Sequence, residues 1–275
     1  MIRRRPRGGQ SARTPLLLVP PAALGAALLV VPAIALVVRA PWSKLGAIYR
    51  EYQFWDALRI SIETSLEVTA ISLVLGTPLA WILARARFPG KSLLRAAVTL
   101  PLVLPPVVGG IALFFALGQH GLVGQYLYQW FGWSIPFTQF GIVLAGTFVS
   151  MPFLVVTVEG AIRSADRGLE EAAATLGASR FRVFARITMP LITPSLVLGS
   201  VLCWARAIGE FGATTIFGGN IVGKTLTMPV LVLRVFQVKG DPEAATALSL
   251  PLMAVAIVVL VALRDKWLLR AAPAS

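Results

Sequence analysis

The sequence is poor in the residues that perform chemistry. Its one cysteine, Cys203, excludes an internal disulfide, and its one histidine, His120, argues against a histidine-built metal cluster. Charge is scarce too: Asp, Glu, Lys and Arg make up 13% of the 275 residues, against about 25% in an ordinary soluble domain. No polar stretch is long enough for a second, soluble core, and no internal repeat or low-complexity linker interrupts the chain beyond a basic N-terminal tail. What fills the sequence instead is apolar, 57% of all residues with a mean hydropathy of +0.79. These residues gather into runs too long for globular core helices, so lipid is the expected solvent for most of the chain. The net charge of +13 would suggest nucleic acid as partner for a soluble protein. In a membrane protein the placement of the charges matters more than their sum, and no nucleic acid is expected.

Residues 16–38 form a 23-residue apolar stretch, about 35 Å long as a helix and enough to cross a hydrocarbon core of roughly 30 Å. Basic residues precede it, as in a signal peptide, but the run is too long and no small-residue cleavage site follows clearly, so it is expected to stay as an anchor. Further spans are expected at 62–84, 96–117, 140–158, 191–212 and 247–263, giving an all-α membrane protein of six transmembrane helices, with one membrane domain over 16–268 between tails 1–15 and 269–275. Pro101, Pro105 and Pro106 fall inside the third span, with Gly109 and Gly110 after them, which predicts a kinked span held inside the protein where its freed carbonyls find partners. Lys and Arg on alternate connections divide 17 to 7, with Arg206 inside the fifth span, and this asymmetry places both termini in the cytoplasm.

The longest cytoplasmic connection, 159–190, reads as two short helices. Asp166 is a good N-cap, Glu170 and Glu171 suit the positive end of a helix dipole, Ala172, Ala173 and Ala174 keep the helix slim, and Gly177 lets the chain leave it. Ser179 then caps a second helix over 180–188, which Pro190 ends or bends as the fifth span begins. A slim helix between two spans is shaped to slot into a cleft on a soluble partner. The alternative is an amphipathic helix lying among lipid headgroups.

Two motifs mislead. Gly218, Gly223, Lys224 and Thr225 satisfy the P-loop pattern letter for letter, but a P-loop needs a strand before it and a helix after it, and this segment joins two spans on the extracytoplasmic side. Glu243, Ala244 and Ala245 repeat the Glu-Ala-Ala triplet without the rest of its spacing, since Ser249 and Ala262 stand where Gly and Pro belong. Within the spans, Arg206 and Glu210 lie one helical turn apart, either a self-neutralising pair that packs helices or part of an anion path. Glu63 and Glu67 are also one turn apart, suited to pairing with a neighbouring helix. No span end carries paired carboxylates or a Ser/His set, which disfavours a membrane enzyme. No cofactor or metal is expected on this chain.

Glu171, Ala172, Ala173, Gly177, Ile187 and Pro190, at their spacing, resemble the EAA loop of ABC-importer permeases, with Met189 where leucine is usual. A Leu to Met exchange keeps volume and apolarity. Across the chain, 76–90 (GTPLAWILARARFPG), 100–110 (LPLVLPPVVGG) and 205–229, above all Gly209, Glu210, Phe211, Gly212, Ala213, Gly219 and Asn220, resemble the permease subunits of molybdate importers within the sulfate, tungstate and molybdate group. The resemblance implies a type I importer fold with a cytoplasmic coupling helix formed around Glu170, Glu171, Ala172, Ala173 and Gly177. It also implies a second copy of the chain, two cytoplasmic ATPase subunits carrying ATP and Mg, and an extracytoplasmic molybdate-binding protein. Sulfate or tungstate is the alternative cargo, and a channel the alternative from another class, disfavoured because a freestanding pore needs no coupling helix.

Overall fold

The computed structural model describes residues 16–268, so the expected tails 1–15 and 269–275 lie outside the described residues. Those described residues are helical throughout, with no strand: α1 Val19–Val38, α2 Leu45–Glu51, α3 Phe54–Arg85, α4 Lys91–Val103, α5 Pro106–Leu117, α6 Gly124–Phe131, α7 Gln139–Ser164, α8 Arg167–Thr175, α9 Arg180–Val183, α10 Met189–Ile208, α11 Gly212–Gly218, α12 Met228–Gln237 and α13 Pro242–Leu268. Five helical runs are long and apolar enough to cross a membrane, namely α1, α3, α7, the continuous stretch Arg180–Ile208, and α13 over Pro242–Val261.

The expected third span is not among them, because it is two helices. Leu104, which precedes a proline, is extended at φ −69° and ψ 131°, and α5 restarts at Pro106. A residue before proline is pushed out of the helical region, and neither proline can donate a ladder hydrogen bond. The fifth span breaks as well. α10 ends at Ile208, Gly209 to Phe211 turn, and α11 carries the chain on to Gly218.

At the other end of α10, Pro190 does not stop the helix as its ring chemistry suggests. The chain passes from α9 into α10 through a π-helical turn, Phe184–Thr188, whose wider coil relieves the clash between a proline ring and the carbonyl one turn before it.

α7 is the central helix, and small residues let its neighbours approach it. A Cβ at Gly146 would lie 2.7 Å from Val68 of α3, one at Gly76 of α3 would lie 3.1 Å from Leu154, and Gly199 of α10 faces Leu154 and Thr157. Trp204 of α10 donates its indole N–H to Ser65 of α3 at 3.0 Å. The two broken spans meet each other: a Cβ at Gly212 would stand 2.8 Å from Pro106, and one at Gly110 3.0 Å from the Ala213 backbone. α1 touches the bundle only lightly, against α13, and none of its residues is buried.

A polar knot fixes the start of α13. Asp241 accepts the Ala244 N–H at 2.9 Å and the Tyr52 hydroxyl at 2.9 Å, while Lys44 pairs with Glu243 at 2.8 Å. The Ala244 amide, and after it the Tyr52 hydroxyl, hold the Asp241 carboxyl below its ordinary value. Behind this start Ala244 and Ala245 are buried among α2, α12 and α13, so the second Glu-Ala-Ala triplet serves packing.

Two outcomes are expected. Gly110→Ala forces Cβ against backbone that cannot yield and costs about 1–3 kcal/mol, whereas Gly25→Ala, with no atom within 4 Å, leaves the melting temperature of the detergent-solubilised protein unchanged or raised. Because the native Asp241 carboxyl titrates below the unfolded one, its contribution is complete above the ordinary value of 3.8 and disappears as pH falls through the lower native value. Asp241→Asn therefore flattens the acid limb of stability against pH, read as melting temperature in a series of acidic buffers.

Candidate coupling surface

The segment after α7 folds as its local chemistry dictates. Asp166 accepts the Gly168 N–H at 2.8 Å and opens α8. At the far end Gly177 adopts φ +84°, its N–H reaches the Ala174 carbonyl at 3.0 Å, and Ala178 N–H reaches the Ala173 carbonyl at 3.0 Å. Those two bonds form a Schellman stop, which needs a residue free to be left-handed. Ser179 accepts the Arg182 N–H at 3.3 Å and opens α9.

α8 has no buried residue. Its two adjacent acids part company: Glu171 is exposed, as are Ala172, Leu169, Leu176 and Phe181, with Leu176 at 89%. Glu170 turns inward instead. Its Oε1 accepts from Arg85 at the end of α3 at 2.7 Å and from the hydroxyl of Thr188 in the π turn at 3.0 Å. Arg85 and Glu170 are 15% and 20% exposed, sheltered enough for the pair to be worth more than a surface bridge. The Arg85 guanidinium also lies 5.8 Å from the centre of the Trp81 ring, and Trp81 meets Phe184 edge-on at 5.1 Å. Ala173 and Ile187 are half-buried and Pro190 is exposed. One surface thus gathers Glu171, Ala172 and Gly177, while Glu170 ties that surface to α3 and α10.

A second tie lies nearby. Arg95 of α4 donates to Glu159 of α7, with a 3.1 Å bond through its Nε, and to the Leu83 carbonyl at 3.1 Å; Arg163 stands 3.5 Å from the same carboxylate. Sequence reasoning took Arg95 as one more basic loop residue and Glu159 as a loop boundary. A signal was present, since Glu159 is the one acid between Glu67 and Asp166.

Arg206 and Glu210 do pair, at 2.5 Å, with side-chain exposures of 27% and 1%. The contact is ionic rather than an aligned hydrogen bond, since Glu210 Oε2 has no hydrogen-bond partner within the described residues. Glu210 Oε1 meanwhile accepts the Ala213 N–H at 2.7 Å, capping α11 at the break in the fifth span. Its carboxylate also borders a cavity of about 10 Å³ walled by Ser61, Thr64, Ser65, Thr214 and Thr227. Glu63 bonds to Arg59 of its own helix at 2.6 Å rather than to a neighbour, because Arg59 stands one turn away on the same face. Glu67 is exposed.

The P-loop look-alike is a packed turn. Ile221 accepts from Lys224, Thr225 and Leu226, and the Thr225 hydroxyl is used on the Ile221 N–H at 2.9 Å. No strand leads into it among the described residues, α12 begins only at Met228, and Thr225 is buried. Among the described residues no three His, Cys, Asp or Glu side chains gather to hold a metal.

Residues 76–270 match the family described as binding-protein-dependent transport system inner membrane component. The chain is 45% identical over 239 residues to the molybdenum transport system permease protein ModB of Mycobacterium tuberculosis, a match covering 87% of this chain and 89% of that one. It is 36% identical over 236 residues to a probable sulfate transport system permease protein, cysT, of Chlorokybus atmophyticus, covering 85% and 82%. In fold it resembles a chain in the crystal structure of a bacterial ABC transporter involved in alginate import, with a TM-score of 0.68 at 18% identity over 91% of this chain and 93% of that one.

The Glu170 tie predicts energetic coupling across 85 positions of sequence. Arg85→Gln and Glu170→Gln each cost about 1.5–3 kcal/mol, the worth of a hydrogen bond to a charged group, and the double variant costs less than their sum. Additive losses in a double-mutant cycle on the solubilised protein would show that the two groups do not act together.

Proposed function

The chain belongs to the binding-protein-dependent transport system inner membrane components, and on that premise we propose that it is the membrane-spanning permease subunit of an ABC importer that carries molybdate into the cytoplasm. Residues 16–268 form one permease domain of six crossings, the third made by α4 and α5 together, with both termini cytoplasmic. Two copies enclose the pathway, two ATPase subunits sit below them, and a molybdate-binding protein docks from outside. The chain itself is a transport subunit, and hydrolysis of ATP belongs to its partners.

The observation that carries this reading is the division of labour within α8. Its outer face, with Glu171, Ala172, Leu169 and Leu176, is free to enter a cleft on an ATPase, while Glu170 anchors its inner face to α3 and α10. Closure of the ATPase pair draws the two coupling helices together. Rigid ties at Arg85 and Thr188 pass that displacement into the spans, and the pathway turns outward toward the docked binding protein, two states favoured by different contacts. Ile187 and Pro190, in and just after the π turn, shape the joint between coupling helix and span. Arg206 and Glu210 are read as a self-neutralising pair that holds the break between α10 and α11, with Arg206 exposed enough to border the anion path. Sulfate or tungstate is the second reading of the cargo. Identity of 45% to the molybdenum permease against 36% to the sulfate one supports molybdate.

Purification of the tagged chain from its native membrane tests the proposal. An ABC ATPase is expected to come with it and to be stimulated by molybdate-loaded binding protein in proteoliposomes; stimulation only by the sulfate-loaded form would change the cargo, and recovery without any ATPase would overturn the assignment. In the same assay Gly177→Trp, which forces a side chain into φ +84° at a cost of about 1–2 kcal/mol and enlarges the docking face, should leave hydrolysis running without transport. Normal transport by that variant would remove the coupling role from this loop.

A further inference from the structure

The connection between α5 and α7 has the composition of neither a soluble loop nor a span. Across 96–158 there is no Asp, Glu, Lys or Arg, and the connection lies entirely inside that stretch. α6, within it, turns Leu127 inward against the core of α5, α7 and α11. Its other side and the residues after it present Tyr126, Tyr128, Trp130, Phe131 and Trp133, which are 47% to 72% exposed. A surface of this size and apolarity without charge is poorly suited to bulk water. It is not suited to hydrocarbon alone either: Trp42 and Trp204 give their indole N–H groups to protein acceptors, whereas the polar atoms of these tyrosines and tryptophans find no partner among the described residues. Rings with an apolar body and an unpaired polar tip belong where chains meet headgroups. The depth agrees, because α5 and α7 are apolar helices whose ends at Leu117 and Gln139 the connection joins.

Next to this surface lies a cavity of about 390 Å³, within the range of about 300–1,000 Å³ that takes small ligands. Its lining combines Phe114, Phe115 and Phe137 with Gln119, His120 and Ser134. Phe137 is held at φ +62° by its N–H bond to the Phe217 carbonyl at 3.0 Å, a conformation unusual for a bulky residue, and its ring meets Phe114 edge-on. The cavity lining therefore combines aromatic rings with polar side chains, and it shares Phe115 with the apolar outer face of α5, where Val107, Val108 and Ile111 are also exposed.

We propose that this connection is a phospholipid-binding interfacial element, in which the aromatic face of α6 lies among lipid headgroups and the cavity takes the ester-linked upper part of a phospholipid. Gln119, His120 and Ser134 supply hydrogen bonds to ester oxygens, and the phenylalanines meet the first methylenes of an acyl chain. The absence of charge favours lipid over a soluble docking partner, whose intermittent visits would leave the aromatic face in water between them. The membrane placement rests on the family assignment, while the choice of the extracytoplasmic leaflet rests on the orientation proposed above.

The test uses the full complex in phosphatidylcholine vesicles. Fluorescence of the natural chain is compared with that of Trp130→Phe/Trp133→Phe, so the difference reports those two rings and leaves Trp204 and its bond in place. The difference signal should lose most of its intensity to lipids brominated near the ester end of the chain, and less to lipids brominated near the terminal methyl. Quenching by aqueous acrylamide but by neither brominated lipid would overturn the proposal, and suppression of that aqueous quenching by added binding protein would assign the surface to docking instead. Protection from all quenchers would assign it to contact between two copies. For the cavity, Ser134→Phe should lower the phospholipid retained through purification, counted by native mass spectrometry, without altering the quenching pattern. Unchanged retention would remove the cavity from the lipid site. None of these readings depends on cargo or ATPase, so failure here is separable from failure of the transport assignment.

Discussion

In a medium without water every backbone N–H and C=O must find its partner inside the protein, and this one requirement shapes the architecture. Two spans are interrupted, at Leu104 with Pro105 and at Gly209 to Phe211, and each interruption frees groups that lipid cannot satisfy. The fold also packs the two interruptions against each other. Gly212 faces Pro106, Gly110 faces Ala213, and the half-helices α5 and α11 lie against each other. Glu210 completes the answer by accepting the N–H of Ala213, and Arg206 neutralises the charge that this cap brings with it. The ion pair thus follows from the backbone break, and the break is tolerated because the pair is there.

Much of this was legible in the residues. Length and apolarity pointed to stretches of which five lie in long apolar helices, the prolines of the third span announced its interruption, and Asp166, Ser179 and Gly177 marked the ends of the loop helices where they are found. The EAA-like spacing pointed to the loop that the fold leaves exposed. The limits were those of long-range pairing. Local spacing made Glu170 and Glu171 look equivalent, but their fates depend on Arg85 and Thr188, which come close only after the spans have assembled. Arg95 with Glu159 and Tyr52 with Asp241 were hidden for the same reason. Glu63 failed in the opposite sense, since a partner one turn back on its own helix was nearer than any neighbouring helix. Pro190 was expected to end or bend the helix, and it does not end it, because the π turn adds room.

Charge is sparse in this chain, and three sheltered acids each have an identifiable task. Glu159 joins α7 to α4, Glu170 joins the loop helix to α3 and α10, and Glu210 closes the break in the fifth span. All three meet arginine, whose planar guanidinium offers several donors in fixed directions and resists deprotonation when sheltered. The lysines among the described residues serve nearer the surface, as at Lys44 with Glu243. Such a distribution places a few charged joints between helices that otherwise meet through small and apolar residues.

The bare flank of α1 bears on what holds each helix in the bilayer. With 20 residues, a mean hydropathy of 2.4 and nothing buried against the rest of the bundle, this helix is complete as soon as lipid surrounds it. Its place in the bilayer rests on partitioning more than on packing within the chain. The interrupted helices that follow are stable only in one another's company. The bilayer thus holds this chain in two ways, α1 by partitioning and the helices from α3 to α13 by packing that shelters their broken backbones from hydrocarbon.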